Sequence, residues 1–323
     1  MKKVGIGTSH AKLILVGEHA VVYGIPGITI PLTDIKVQAT LTATSTTMAE
    51  LPNIFFDSAL YRGQLTIVPE ELTNIKAMIE TFIARQGTAV QWPADLQLTI
   101  VSALPFERGM GSSAAISTAV LRALLAFTAV TLTTAEFDDL VNISETIQHG
   151  NPSGMDALVV KSEQGYFFQR HEVPQPLQVN LPGYLLIVDS GLTGRTSAAV
   201  QSVATLKTVN AVLWQAQMAA IQTIVRQARV LLTNHDTVSQ HHFGQLLDQN
   251  QTALQQLQVS TPQLNALVQR LRDKGALGAK LTGGGLGGCV FGYFADLTTA
   301  QQAQKQFSEK TWLTTLAKTE AAQ

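Results

Sequence analysis

The chain is poor in cysteine, in aromatic residues and in charge. One cysteine, Cys289, stands in 323 residues, which excludes an intrachain disulfide framework and fits a reducing cytosol. Charged residues make up 14% and sum to a net charge of −1. With no basic stripe or tail, nucleic acid is not an expected partner. The uncharged stretch most like a membrane span, 208–225, carries Asn210, Gln215, Gln217 and Gln222, so it reads as a helix with one buried face and not as a membrane span. Lys2 and Lys3 before an apolar run imitate a secretion signal, but Lys12, Glu18 and His19 interrupt the run and no A-x-A site follows. These absences predict a cytoplasmic protein with no membrane partner. Zinc chemistry is not expected either. There is no H-E-x-x-H or C-x-x-C, and His241 and His242 are adjacent, not one helical turn apart.

Hydrophobic residues make up 46%, enough for a sizeable core. Strands are predicted at Lys3–Ser9, Lys12–Val16, Gly27–Pro31, Ile35–Thr44 and Leu96–Val101 from β-branched runs between turns. Helices are predicted at Thr73–Arg85, Ser113–Thr128 and Thr134–Gln148, with Thr134 as the cap of the last. Strands at Gly165–Phe168 and Leu185–Val188 flank a connection marked by Pro174, Pro176 and Pro182. We place a domain boundary there, giving 1–178 and 179–323. The second half reads as helices at Ser197–Leu232, Val238–Val259 and Pro262–Lys274, a hairpin over Gly278–Phe294 and a closing helix at Thr298–Phe307. Strands, then helices, then strands argue for an α+β fold.

The segment Pro105-Phe106-Glu107-Arg108-Gly109-Met110-Gly111-Ser112-Ser113-Ala114-Ala115 is a glycine-rich loop entering a small-residue helix. Gly109 and Gly111 allow positive φ and close approach of a ligand to the backbone. Ser112 or Ser113 is suited to cap the helix, whose first N–H groups favour an anion such as a polyphosphate. The Lys-Ser/Thr pair of the nucleotide P-loop is absent. Gly109 to Ala114 satisfies G-x-G-x-x-A, but Pro105, Glu107 and Arg108 separate it from its strand and no acid stands near Ala129–Thr134, against a dinucleotide site. By itself the loop is equally well read as a tight strand–helix turn.

Three more segments bear on chemistry. Ala11 to Gly24 sets Lys12, Glu18, His19 and Tyr23 close together; alone it reads as a strand end with a solvated Glu–His pair. Glu145 to Asp156 places two carboxylates on either side of a loop broken by Gly150 and Pro152. The simpler reading is a helix start capped by Ser153 with Asp156 three residues on; the functional one is a Mg²⁺ ligand and a proton acceptor. Lys280 to Cys289 contains five glycines in the six positions from Gly283 to Gly288. That density costs backbone entropy and points to a second place where backbone meets ligand.

In this order, the lysine-bearing strand, the P-x-x-x-G-[LM]-G-S-S-A loop and the late glycine loop resemble the GHMP small-molecule kinases. The resemblance runs from Lys12 to Cys289. Gly17-Glu18-His19-Ala20-Val21-Val22-Tyr23-Gly24 and His149-Gly150-Asn151-Pro152-Ser153-Gly154-Met155-Asp156 are most similar to the mevalonate-phosphorylating branch. The resemblance implies an amino-terminal domain like ribosomal protein S5 domain 2, a ferredoxin-like carboxy-terminal domain, and ATP and substrate bound in the cleft. It implies ATP and Mg²⁺ as cofactors and a small-molecule partner, mevalonate, phosphorylated on its 5-hydroxyl for isoprenoid biosynthesis; it is also compatible with a homodimer. By the same resemblance, Asp156 is the base and Lys12 the cation beside it. Pro105, Gly109, Met110, Gly111, Ser112, Ser113 and Ala114 surround the phosphates, and Ser113 and Glu145 hold the metal. Glu18, His19, Tyr23, Thr196 and Gly284 lie on the substrate side, Thr196 at the end of a loop running from Asp189 through Arg195.

The chain departs from the family pattern at Ser9-His10-Ala11, which replaces Ala-Pro-Gly before the lysine and requires a different entry turn. It departs again at Gly284 and Leu286, where Ala and Gly are usual. The competing readings are a sibling kinase for phosphomevalonate or homoserine, a diphosphomevalonate decarboxylase, a non-catalytic nucleotide-binding sensor and a NAD-dependent enzyme. Phosphomevalonate would ask for more cations than Lys12 and Arg195. A sensor would have lost Lys12, Glu145 or Asp156, and all three are present.

Overall fold

A computed structural model describes residues 3–105, 108–150, 152, 154–194 and 196–317. The chain forms two compact units that interleave along the sequence. One comprises Met1–Ala11, Thr33–Pro105 and Gly111–Lys161; the other comprises Lys12–Leu32, Phe106–Met110 and Ser162–Gln323. Two long strands, β1 (Val4–Val16) and β2 (Gly27–Ala43), contribute residues to both units.

In the first unit, β2 is followed by β3 (Met48–Ala49), β4 (Asn53–Asp57), β5 (Arg62–Gln64), α1 (Thr73–Gln86), β6 (Trp92–Pro93), β7 (Asp95–Ser102), α2 (Ser112–Thr128), α3 (Thr134–His149) and α4 (Met155–Val159). β7 pairs antiparallel with Val37–Ala43 of β2 and parallel with β4. One face of the Val37–Leu41 stretch is buried through Val37, Ala39 and Leu41, the alternation of a sheet covered on one side. Helix α2 lies against β1. A Cβ on Gly7 would come 2.1 Å from the Ala119 carbonyl oxygen, so only glycine admits the helix backbone there. α2 is buried nearly all round, from Ala114 to Phe127, as a central helix must be.

The second unit adds β8 (Gly165–Phe168), β9 (Gln175–Leu177), β10 (Tyr184–Asp189), α5 (Thr196–Val209), α6 (Ala211–Leu231), α7 (Thr237–Gln256), α8 (Pro262–Asp273), β11 (Gly278–Leu281), β12 (Cys289–Phe294), α9 (Leu297–Gln304) and β13 (Thr311–Thr315). β8 pairs with Gly27–Thr29 of β2 and with β9, antiparallel in both cases. The second sheet has the order β11-β12-β10-β13. Counted from β10, that is second, third, first, fourth, the ferredoxin-like arrangement. β12 is buried along its whole length, and Phe243 of α7 meets Tyr293 edge to face with ring centroids 5.2 Å apart. Among the described residues no helix is long and apolar enough to cross a membrane.

Several elements differ from the sequence expectation for local reasons. The first two strands are one, because Ser9-His10-Ala11 continues the strand and makes no entry turn. Ser9 faces inward and donates to the Val160 carbonyl at 2.7 Å, which ties the end of α4 to β1. β2 likewise runs through Pro31 without a break. The predicted helix 197–232 is two helices, because Asn210 leaves helical geometry and accepts a hydrogen bond from the Leu213 N–H as the cap of α6. The cap of α3 is Thr133, not Thr134, and it forms a reciprocal capping box with Glu136. β13 escaped the sequence reading; its Thr311-Trp312-Leu313-Thr314-Thr315 run pairs with β10.

Candidate active site

In the second unit β1 delivers Lys12 into the interior, 1% exposed. Its backbone N–H donates to the Met110 carbonyl at 3.1 Å and its Nζ to the Gly109 carbonyl at 3.3 Å. The lysine is thereby fixed to the first glycine loop. Met110 is itself fully buried, its sulfur 3.6 Å from Cys289 Sγ. Burial pushes the Cys289 thiol well up, which leaves it inert. Arg108, just before the loop, pairs with Asp189 at 3.1 Å and donates to the Gly191 carbonyl at 3.1 Å. That contact holds the 189–191 turn. Arg195, farther along the same loop, lies outside the described residues, as do Phe106 and Glu107.

The late glycine loop is packed on the chain's own backbone. A Cβ on Gly283 would lie 2.5 Å from Gly109 Cα, and one on Gly284 would lie 2.2 Å from Thr196 Oγ1. Gly285, Gly287 and Gly288 face Val259, Thr193 and Arg108 in the same way. The glycines therefore let the two loops and the start of α5 close on one another. The usual alanine at position 284 would strike Thr196 here. Leu286 takes a left-handed φ of 56° and donates its N–H to Val259 at 2.8 Å, which anchors the loop to the α7–α8 connection.

Glu18 and His19 follow β1. Both are buried, and Glu18 forms an ion pair with Lys280 of β11, with neither side chain exposed. Burial pushes the Glu18 carboxyl up and the Lys280 ammonium down, and their mutual attraction opposes both shifts. Desolvation lowers His19 to about 4, with the Lys280 charge adding to it and a hydrogen bond to the Gly284 backbone opposing it. His19 is therefore neutral at physiological pH. Tyr23 is half-buried, its ring edge-to-face with Trp214 at 5.1 Å, and Lys207 lies over both rings. Partial burial raises its phenol pKa.

The first unit holds the other predicted residues. Gly111, with φ 73°, enters α2, and no side chain caps the helix. This corrects the expected cap at Ser112 or Ser113; those serines are the first two helical residues. Ser112 and Ala114 are buried, and Pro105 and Ser113 are half-buried. Asn74 of α1 donates to Ser113 Oγ at 3.2 Å and to Ser144 Oγ at 2.9 Å; Ser117 lies 2.7 Å from Ser144 and donates to the Ser113 carbonyl at 3.0 Å. Glu145, next to Ser144 on α3, is 3% exposed and lies 3.8 Å from His149. Asp156 is half-buried in the first turn of α4, entered through Gly154 in left-handed geometry without a side-chain cap. Ser153, the expected cap, is outside the described residues.

A serine hydroxyl and a buried carboxylate in one helical cluster are hard oxygen donors. They suit Mg²⁺, which takes one or two protein oxygens and completes its shell with water and phosphate. Among the described residues no group of three His, Cys, Asp or Glu forms a closed metal cage. Sequence reasoning did not single out Asn74, Ser144 and Lys280, which contact the predicted residues or their helical neighbours. The signal for each was a polar residue at a core position of its helix or strand.

Comparison with known proteins gives one consistent family. The GHMP kinases N terminal domain matches residues 73–163, and the GHMP kinases C terminal domain matches 239–311. The mevalonate kinase of Aeropyrum pernix is 28% identical over 305 residues, 92% of this chain and 90% of its own. That of Pyrococcus horikoshii is 28% identical over 307 residues, 90% and 89% of the two chains. The crystal structure of L. major mevalonate kinase in complex with R-mevalonate superposes with a TM-score of 0.78 at 25% identity, covering 98% of this chain and 96% of that one.

Proposed function

We propose an activity for a chain that belongs to the GHMP kinase family: transfer of the γ-phosphoryl group of ATP to the 5-hydroxyl of mevalonate, giving 5-phosphomevalonate. The observation that carries the substrate assignment is the gathering of His19, Gly284 and Thr196 in one unit. These are substrate-side positions drawn from segments far apart in sequence. The relatives matched over nine-tenths of the chain support the same substrate.

Phosphoryl transfer depends on positioning and charge neutralisation more than on covalent chemistry. Gly109 to Ser113 supply backbone donors to the ATP phosphates, strengthened by the uncapped start of α2. Ser113 and Glu145 would hold Mg²⁺, which would neutralise phosphate charge. Asn74 donates to Ser113 Oγ, so a lone pair of that hydroxyl is already oriented by the fold. Asp156 accepts or orients the hydroxyl proton of the acceptor. Lys12 supplies positive charge to the oxygens that gain negative charge in the transition state. Neutral His19 offers a hydrogen bond to the acceptor without adding charge.

The test is formation of 5-phosphomevalonate from MgATP and mevalonate by the purified chain. Asp156→Asn is expected to keep ATP binding and lose ~10²–10⁴ in kcat; near-normal turnover by that variant would remove Asp156 from the chemistry. In Glu145→Gln the Mg²⁺ titration of the rate is expected to move to higher concentration, and a curve overlaying wild type would make Glu145 structural.

A further inference from the structure

His19 is a non-glycine residue with φ 61° and ψ −41°. An L side chain rarely adopts such a conformation, and it persists only where the surroundings over-determine it. On its far side the Ala20 N–H donates to the Glu18 carbonyl at 2.7 Å and the Val22 N–H to the His19 carbonyl at 3.3 Å. On its near side the anchor is the Glu18 side chain, which has no route to solvent and ends on Lys280. Lys280 Nζ also donates to the Leu281 carbonyl at 2.5 Å and lies 5.3 Å from the Phe291 ring centroid. One residue on, Thr282 Oγ1 accepts from the Ile14 N–H at 3.1 Å and donates to the Ile14 carbonyl at 3.2 Å. The next residue, Gly283, abuts Gly109.

From this arrangement we infer that Lys280 is a positioning residue for the acceptor substrate: acting through Glu18, it holds His19 in its strained orientation beside Gly284. The inference rests on the reading that His19 lies on the substrate side. Glu18 itself is sealed from solvent, so the pair supports the binding surface from beneath. A neutral residue at 280 would leave a buried carboxylate without its partner. Glu18 would then protonate or move, and the backbone of His19 would relax out of the left-handed region.

The charged and polar groups around this pair are few. β1 brings Lys12, whose charge acts on both Glu18 and Lys280. β11 brings Lys280 itself, and the turn after β1 brings His19. α7 presents Asn250, whose Oδ1 lies 3.4 Å from the Gly17 N–H, and Gln251, which accepts from the Leu281 N–H at 2.9 Å. Asp248 of α7 is engaged by Arg272 and by the Ala279 N–H. Among the described residues, Glu18 is the carboxylate whose charge acts on Lys280.

The experiment is a double-mutant cycle on KM with Lys280→Met and His19→Ala, read for mevalonate and for MgATP. Lys280→Met is expected to raise the mevalonate KM ~10-fold or more and to leave the MgATP KM within about twofold. His19→Ala raises the same KM, and adding Lys280→Met to it causes no further rise, because the positioned group is gone. The His19 backbone, followed by NMR without substrate, is expected to leave the positive-φ conformation in Lys280→Met.

Additive effects, an equal rise in both KM values, a wild-type KM in Lys280→Met or an unchanged His19 backbone conformation would each overturn the inference. If Lys280→Met does not fold, the cycle is run in Glu18→Gln/Lys280→Met, in which both members of the pair are neutral; failure of that variant to fold would make the pair a structural one and also overturn it. A wild-type chain that does not phosphorylate mevalonate would defeat the proposed function instead, and the NMR readout of the His19 backbone would still decide whether Lys280 holds it.

Discussion

The two units bury neutral and charged groups in different proportions. The first buries a mostly neutral network between three helices, in which Asn74 donates to Ser113 and Ser144 and Ser117 bonds to both serines, with one carboxylate, Glu145, next to Ser144 at 3% exposure. The second buries charge, with Lys12, Glu18 and Lys280 each at 1% exposure or less. A neutral hydrogen bond contributes little to stability and costs little to keep. A buried ion is tolerated only while its partner is present. The first cluster is therefore expected to yield gradually to substitution, and the second to fail when either partner is removed. The division suits the proposed roles, since a hydroxyl that orients a phosphate-bound cation needs no charge of its own, whereas a strained histidine needs a firm anchor.

The sharpest break of that comparison is the single variant against the pair. Lys280→Met is expected to lose about 3–5 kcal/mol of folding stability, and Glu18→Gln/Lys280→Met to regain most of it; equal losses in urea denaturation would mean that the pair is no more than packing. Next is the pH response. His19 has a folded pKa of about 4 against 6.5 unfolded, so between those values the unfolded chain binds more protons. Its contribution is complete above pH 6.5 and is lost as pH falls towards 4, about 3 kcal/mol in all. His19→Ala should flatten that part of the stability–pH curve, and an unchanged slope would place the acid sensitivity elsewhere. The smallest effect belongs to the neutral cluster: Asn74→Ala should cost about 1–3 kcal/mol, by the same amount at pH 5 and pH 8. A cost that changed with pH would show that Asn74 is coupled to a charged neighbour such as Glu145.

Much of this was legible in the sequence where the signal is local. Thr261-Pro262 and Gly275 mark the ends of α8, and Thr261 does accept the Leu264 N–H. The glycine loops were found by density alone. What composition could not show is why they are glycine-rich. Gly283 and Gly109 are needed for each other, a contact between segments more than a hundred residues apart. The Glu18–Lys280 pair spans 262 residues, and no periodicity links its members. Asn74 looked like an ordinary residue at a helix start until α2 and α3 enclosed it. Ser9-His10-Ala11, lacking the usual proline and glycine, reads as a different entry turn; the strand simply continues instead, and Ser9 is used to hold α4.

The most direct test of the central claim is kcat/KM for ADP release from MgATP with four acceptors in turn: mevalonate, phosphomevalonate, homoserine and galactose. The account predicts rapid turnover with mevalonate and background rates with the other three. Turnover with a different acceptor, or ATP binding with no turnover on any of them, would contradict it.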